Sequence, residues 1–319
     1  MKQIRTVFKV ILPYIAVFFS VLFYYKIPET GNQKVMEYPY YIYLVLILIG
    51  IYTVLLFLSI FIKGLRTRVF KKAALFSGAL FFMLGYTLLV CKIDVLPTLY
   101  FPSLDRIFGL IFEDKLFLLQ NVAFSLRLLV FGWVFGLAAG FITGLFLGYS
   151  TRVGYWLNPI TKIIGPIPST AWVPLALSVF PTTFGANVFL LAFAVWFPVT
   201  IMTSTGIQGT TQVHYEVADT LGASEAYKIL HVAIPSAMPS IFLGVFYGTV
   251  SSFATLMTVE MNGNSNGIGW YINWQKSVMM YDGVYGGLIV IAIMCLAILT
   301  VLFKVKDKLL VWQKGIIKW

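Results

Sequence analysis

The chain has 319 residues, 60% of them hydrophobic and 11% charged, against roughly 45–50% and about 25% in ordinary soluble domains. So few polar side chains cannot coat a water-soluble core of this length, and a mean hydropathy of +0.89 points to lipid as the surrounding medium. The formal net charge of +11 would suggest nucleic acid in a soluble protein, but here it must first be read against the preference of basic loops for the cytoplasm.

Runs of about 20 mostly apolar residues, enough to cross a bilayer, fall at 7–25, 40–62, 73–91, 121–148, 167–183, 186–205, 236–258 and 284–303. The first follows Lys2, Arg5 and Lys9 but precedes no small-residue cleavage site, so it reads as an uncleaved anchor. The fifth is the weakest, because Pro166, Pro168, Pro174 and Pro181 would kink or break a helix there. With the N-terminus inside and eight crossings, the inside segments hold 16 of the 23 basic residues and only four of the 12 acids. Orientation therefore accounts for the charge without nucleic acid, and both termini are expected in the cytoplasm.

Between the third and fourth spans, Leu104, Ile107, Phe108, Ile111 and Phe112 repeat with helical spacing and predict a short surface helix. Within the fourth span Gly132, Gly136, Gly140, Gly144 and Gly148 recur at every fourth position. Such a stripe lets another backbone approach closely, either as general transmembrane packing or because this helix lies at the centre of the bundle and slides or tilts against a neighbour during transport. Arg127 sits about two turns inside the same span, placed either to snorkel to the interface or to meet a partner or an anionic solute. In the seventh span Thr249, Ser251, Ser252, Thr255 and Thr258, with Glu260 at its end, are polar groups inside the membrane. They are either backbone-bonded packing residues or part of a translocation pathway, with Arg127, Ser251, Ser252, Thr255 and Glu260 as the pathway candidates.

No catalytic constellation is present: His214 and His231 share one loop, and Cys91 and Cys295 lie far apart in apolar runs. No Gly-Lys dipeptide occurs, so the chain carries no phosphate-binding loop of the Gly-x-x-x-x-Gly-Lys type. ATP, if used, must be bound by another subunit. The inside loop before the seventh span is more informative. Val213, Val217 and Leu221, then Ala226, Ile229 and Leu230, give two amphipathic helical patterns separated at Gly222-Ala223-Ser224. Gly222 is placed to stop the first helix and Ser224 to cap the second, with Glu225 in its positive first turn. A bent helical hairpin of this kind suits the docking of a partner.

The spacing Glu216-x-Ala218, Gly222 six residues after the glutamate, and Val232-Ala233-Ile234-Pro235 resembles the EAA loop of binding-protein-dependent ABC importer permeases. Leu157-Asn158-Pro159, Gly165-Pro166-Ile167-Pro168, Ala171-Trp172-Val173-Pro174-Leu175 and the stretch from Gly263 to Gly269 after Glu260 resemble the nitrate/sulfonate/taurine/bicarbonate branch. The resemblance covers about 73–303. It implies an all-α, MetI-like type I importer fold with two permease copies, two cytoplasmic ATPases that bind ATP and Mg, and an extracytoplasmic solute-binding protein. It assigns ATPase coupling to Glu216, Ala218 and Gly222, with Ser224 as the cap beside them. Val217 and Asp219 depart from the motif, and the second half of the loop has only Lys228 and His231 as basic residues.

The expectation is thus a bacterial inner-membrane permease: two extra helices in 1–70, a core in 71–305 with its coupling loop at 206–235, and a basic tail at 306–319. The rival is an ATP-independent carrier or channel.

Overall fold

The protein is described by a computed structural model covering residues 2–29, 36–93 and 95–311, without the side chains of residues 2–8 and Lys63. Asp94 and, in the basic tail, Lys314 and Lys318 lie outside the described residues. The described chain is helical. Among the described residues seven helices are long and apolar enough to cross a membrane: Lys9–Lys26, Tyr40–Phe61, Gly64–Lys92, Lys115–Tyr149, Thr183–Gln208, Glu225–Gly263 and Tyr281–Leu309. The chain forms two compact units, Met1–Lys115 with Trp274–Gly286, and Leu116–Asn273 with Gly287–Trp319. This division differs from the boundary expected near residue 70.

In the first unit, α1 (Lys2–Lys26) and α2 (Tyr40–Phe61) both pack on α3 (Lys63–Thr87), which continues through a π-helical turn at Leu88–Lys92. Ala16, Tyr41, Ile42, Val45 and Leu80 form the buried cluster that joins the three. Helix ends in lipid need partners for their free backbone groups. The buried Lys92 ammonium donates to the carbonyls of Tyr24 and Ile27 at 3.1 and 2.7 Å, closing the end of α1. The expected surface helix is α4 (Leu104–Glu113), capped by Ser103. Its Asp105 accepts from the Tyr41 amide at 2.9 Å and so caps the start of α2. Arg106 pairs with Asp282 at 2.8 Å.

The second unit is built around α8 (Thr183–Gln208). Along α5 (Lys115–Tyr149), Gly132 lies against Leu191, Gly136 against Val195, Gly140 against Val199, Gly144 against Thr203 and Gly148 against Ile207. The offset is constant at 59 residues, so the two helices run parallel and in register. Contact is backbone to backbone: a Cβ on Gly140 would lie 2.8 Å from the Trp196 carbonyl oxygen, and one on Gly144 would lie 2.6 Å from that of Thr200. On the other side α11 (Ile234–Gly263) runs antiparallel to α8, with Gly206 beside Ala237, and Gly244 and Gly248 beside Val199 and Val195. Leu190, Leu191, Val195 and Val199 are fully buried. The central helix is therefore α8, and the glycine helix expected to hold that place is its flank.

Two parallel helices require the chain to recross the membrane between them. The return consists of α6 (Thr151–Ile164), a 3-10 turn at Ser169–Trp172 and the short α7 (Val173–Val179). Gly165 stands against Phe197, the Trp172 ring lies 5.9 Å from that of Phe193, and Phe180 lies 5.2 Å from Phe189. The return strand of the chain thus runs opposite to α8. The fifth crossing expected at 167–183 is present in direction but is not one membrane-length helix. Helix α6 stops at Gly165, Pro168 is extended with a ψ of 133°, and only Ser169–Val179 remains as a short apolar piece. Helices α12 (Ile268–Ser277) and α13 (Tyr281–Leu309) follow.

Gly140→Leu should destabilise the protein by ~1–3 kcal/mol or more, because branched bulk must enter a backbone contact. Gly50→Leu should be silent, since an added Cβ there meets nothing within 4 Å. Melting of the two purified variants in detergent checks this, and equal behaviour would exclude the contact.

Candidate functional site

At the end of α8 where Gln208 lies, α9 (Gln212–Thr220) and α10 (Glu225–Lys228) form a hairpin that passes through a π-helical turn, Ile229–Ala233, into α11. The chain reverses at Gly222, whose φ of +75° favours a residue without Cβ. The Ala223 amide donates to the Ala218 carbonyl and the Gly222 amide to that of Asp219, both at 3.0 Å, which is the paired closure of a Schellman C-cap. Ser224 accepts from the Tyr227 amide at 3.3 Å and starts α10. Both expected caps are in place.

Lys228 draws the arms of the hairpin together. Its ammonium lies 2.8 Å from Asp219 at the end of α9 and 2.6 Å from Glu225 at the start of α10. The Tyr149 hydroxyl donates to Glu225, tying the hairpin to the end of α5. Sequence reasoning noted these charges without pairing them; acids nine and three residues before a single lysine were the available signal.

The faces of α9 are reversed relative to an ordinary amphipathic helix. Small Ala218 is buried, whereas Val213, Val217 and Leu221 are exposed, Leu221 to 81%. These three residues, four apart, form one apolar stripe on the outside of the hairpin. Glu216 is also exposed.

The opposite end of the same unit holds a polar pocket of about 170 Å³ lined by Arg127, Phe184, Glu260, Asn264, Ser265 and Asn266. The Arg127 guanidinium is exposed and sits 5.1 Å from the centre of the Phe184 ring. Among the described residues no carboxylate forms an ion pair with it. Glu260 is buried and accepts from the Gly269 amide at 2.8 Å. Asn121 accepts from Gly267 at 2.8 Å and Ser125 from Ile268 at 2.9 Å. Three consecutive amides at the start of α12 are thus capped by side chains from α5 and α11, and the charge of Glu260 is met at the positive end of that helix. Gly267 has a φ of +112°, and a side chain there would strike the Glu260 carboxylate. The glycines after Glu260 fit this capped turn.

The structure thus brings two pathway candidates, Arg127 and Glu260, to one pocket and gives the others different surroundings. Ser252 and Thr255 are buried and donate to the carbonyls of Thr249 and Ser251 at 2.7 and 3.1 Å. Thr255 also meets Ser169 at 2.6 Å. Ser251 is half-buried. Sequence reasoning missed Asn121, Ser125, Asn264 and Asn187, which donates to Asn264 at 2.9 Å. Asn121 and Ser125 lie one turn apart on α5 in the turns preceding Arg127, a pattern that could have marked a polar helix end.

A bundle of membrane-length helices carrying one clamped, apolar-faced hairpin defines a polytopic membrane protein. Residues 136–310, more than half of the chain, match the pattern of the binding-protein-dependent transport system inner membrane components, and the chain belongs to that family. It is 30% identical over 198 residues to a candidate ABC transporter permease of Methanocaldococcus jannaschii, covering 62% of this chain and 74% of that one. The taurine transport system permease protein TauC of Escherichia coli is 27% identical over 194 residues, covering 61% and 70%. The bicarbonate transport system permease protein CmpB of Synechococcus elongatus is 28% identical over 223 residues, covering 69% and 75%. The chain is a multi-pass membrane permease subunit of an ABC importer, a component that works with an ATPase and a solute-binding protein.

Gly222→Val should strain the hairpin turn by ~1–3 kcal/mol, whereas Gly222→Asn should be tolerated far better, because asparagine enters the left-handed region at lower cost. Amide hydrogen exchange in α9 should accelerate in the valine variant only. Equal protection in both variants would remove the conformational role of Gly222.

Proposed function

We propose that two copies of this chain form the membrane pathway of an importer for a small oxyanion or its zwitterionic relative, driven by two cytoplasmic ATPases that hold ATP and Mg. The extracytoplasmic binding protein delivers solute to the end of the bundle that carries Arg127. ATP binding displaces the α9–α10 hairpin, and α11 and α8 carry that displacement through the membrane. The observation that supports coupling best is the exposed stripe Val213, Val217 and Leu221 on a hairpin locked by Lys228. An exposed apolar stripe on a shaped surface marks a contact with another protein or with the membrane, and a hairpin braced at the end of the bundle suits the former. Glu216 stands beside the stripe as the polar contact, and Ala218, Gly222 and Ser224 hold the shape.

The solute class follows from Arg127. A planar guanidinium without a carboxylate partner offers two parallel donors to an oxyanion, and the relatives named for taurine and bicarbonate transport carry solutes of that chemistry. In proteoliposomes with the ATPase and binding protein, Val217→Glu with Leu221→Glu should abolish copurification of the ATPase and solute-stimulated hydrolysis. Arg127→Gln should keep copurification but lower transport by about 10–100-fold, the scale of a charge-assisted hydrogen bond. Normal ATPase capture by the glutamate variant would exclude the hairpin as its dock, and unchanged transport by Arg127→Gln would exclude the pocket.

Both termini face the cytoplasm of a bacterial cell in this reading, because the bases Lys63, Arg66, Arg68, Lys71 and Lys72 cluster in ten residues. In a cysteine-free background, Ser265→Cys in intact cells should react with a membrane-impermeant thiol reagent and Arg66→Cys should resist it. Comparable labelling would reverse or break this topology.

A further inference from the structure

Beyond the transport path, the first unit carries a groove of about 410 Å³ between α2 and α3, whose lining includes Ile51, Tyr52, Leu55, Arg68, Lys72 and Phe76. Its floor is firm: Tyr52 and Val69 are buried, and Tyr52 stacks on Phe76 at 5.2 Å. Its walls are greasy and open, with Ile51 54% and Leu75 77% exposed. Two bases mark one end. Arg68 and Lys72 lie four residues apart on α3, hence on one face of the helix, close to the bend at Ile62 where α2 gives way to α3.

Nothing acidic is available nearby in the sequence to neutralise them, since no Asp or Glu occurs between Tyr38 and Ile93. Among the described residues neither base forms an ion pair. Arg66, by contrast, is turned onto the Phe70 ring at 5.5 Å. An apolar trough at membrane depth that ends in two unpaired cations at the interface matches one kind of molecule in its surroundings: a lipid with an acyl chain and an anionic head group. We infer that this groove is a binding site for an anionic phospholipid, with one chain between α2 and α3 and the phosphate on Arg68 and Lys72.

The site belongs to the helices that precede the matched family region, and so it gives them a use: they hold the permease in a shell of anionic lipid. Charge complementarity distinguishes this groove from the purely apolar furrow between α5 and α13, which is lined by Leu119, Val122 and Ile293 among others and carries no base.

The test is native mass spectrometry of the full-length chain in neutral detergent, titrated with phosphatidylglycerol or phosphatidylcholine. The native chain should favour phosphatidylglycerol. Arg68→Gln with Lys72→Gln should lose about 30-fold of that affinity, roughly fivefold per base. Leu55→Trp, which fills the groove and leaves the charges, should weaken the same lipid at least tenfold. Arg66→Gln with Lys71→Gln, which removes bases that do not line the groove, should change it less than threefold. Equal losses in the two charge variants would reduce the effect to diffuse attraction and overturn the site. Unchanged binding in Arg68→Gln with Lys72→Gln would overturn it directly. Displacement of phosphatidylglycerol by inorganic phosphate, together with unaltered binding in Leu55→Trp, would assign the bases to phosphate alone and also overturn it.

Discussion

The contact on which the second unit depends is the meeting of two backbones, α5 and α8, along five glycines. Lipid tails are as apolar as leucine, so burying hydrocarbon does not drive helices together in a bilayer, and close van der Waals packing must do so. Glycine at every fourth position permits that packing over four turns. The fixed register makes the two helices parallel, which obliges the chain to recross between them. The recrossing has to fit beside helices already in contact, and the proline-broken segment α6–α7 is the result. α11 then closes the other face of α8, so that both ends of α8 carry something of use: the Arg127 pocket at one end and the hairpin at the other.

Most hydroxyls on α11 find a partner within the bundle, although the buried Thr203 hydroxyl and Trp172 indole N–H have none among the described residues. The hydroxyls of Thr249, Ser252, Thr255 and Thr258 donate to carbonyls three or four residues earlier. Thr249 also receives the Trp133 indole at 2.9 Å, and Thr143 and Thr200 meet at 2.8 Å between α5 and α8. These groups fasten helices. Arg127 differs: its guanidinium sits over the Phe184 ring and forms no ion pair among the described residues.

Much of this architecture was legible in the sequence. The spans declare themselves by length and hydropathy, α4 by its apolar spacing, and the hairpin by Gly222 and Ser224, whose roles are local and therefore visible in a local pattern. The family was legible for the same reason, in Glu216, Ala218 and Gly222 and in the prolines from Pro166 to Pro174. What the sequence hid was pairing at long range. The glycine stripe signals a close neighbour but does not say which helix is central, because the answer lies in Leu190, Val195 and Val199 of α8, ordinary apolar residues in any listing. The partners of Glu260 and Ser252 were likewise out of sight: Gly269 donates to the first, and the hydroxyl of the second donates to Thr249. The fifth crossing shows both sides: its prolines mark the break in the helix, whereas hydropathy alone gives one continuous span.

The Lys228 clamp has a mechanical consequence. A turn made of Gly222, Ala223 and Ser224 alone would act as a pivot, and a push on α9 would fold the hairpin and go no further. With one ammonium bridging Asp219 and Glu225, and Glu225 held in turn by Tyr149, the two arms form a triangulated strut. If the hairpin is the coupling element proposed above, such a strut would pass a push on to α11, to which it is joined by an unbroken run of helical turns.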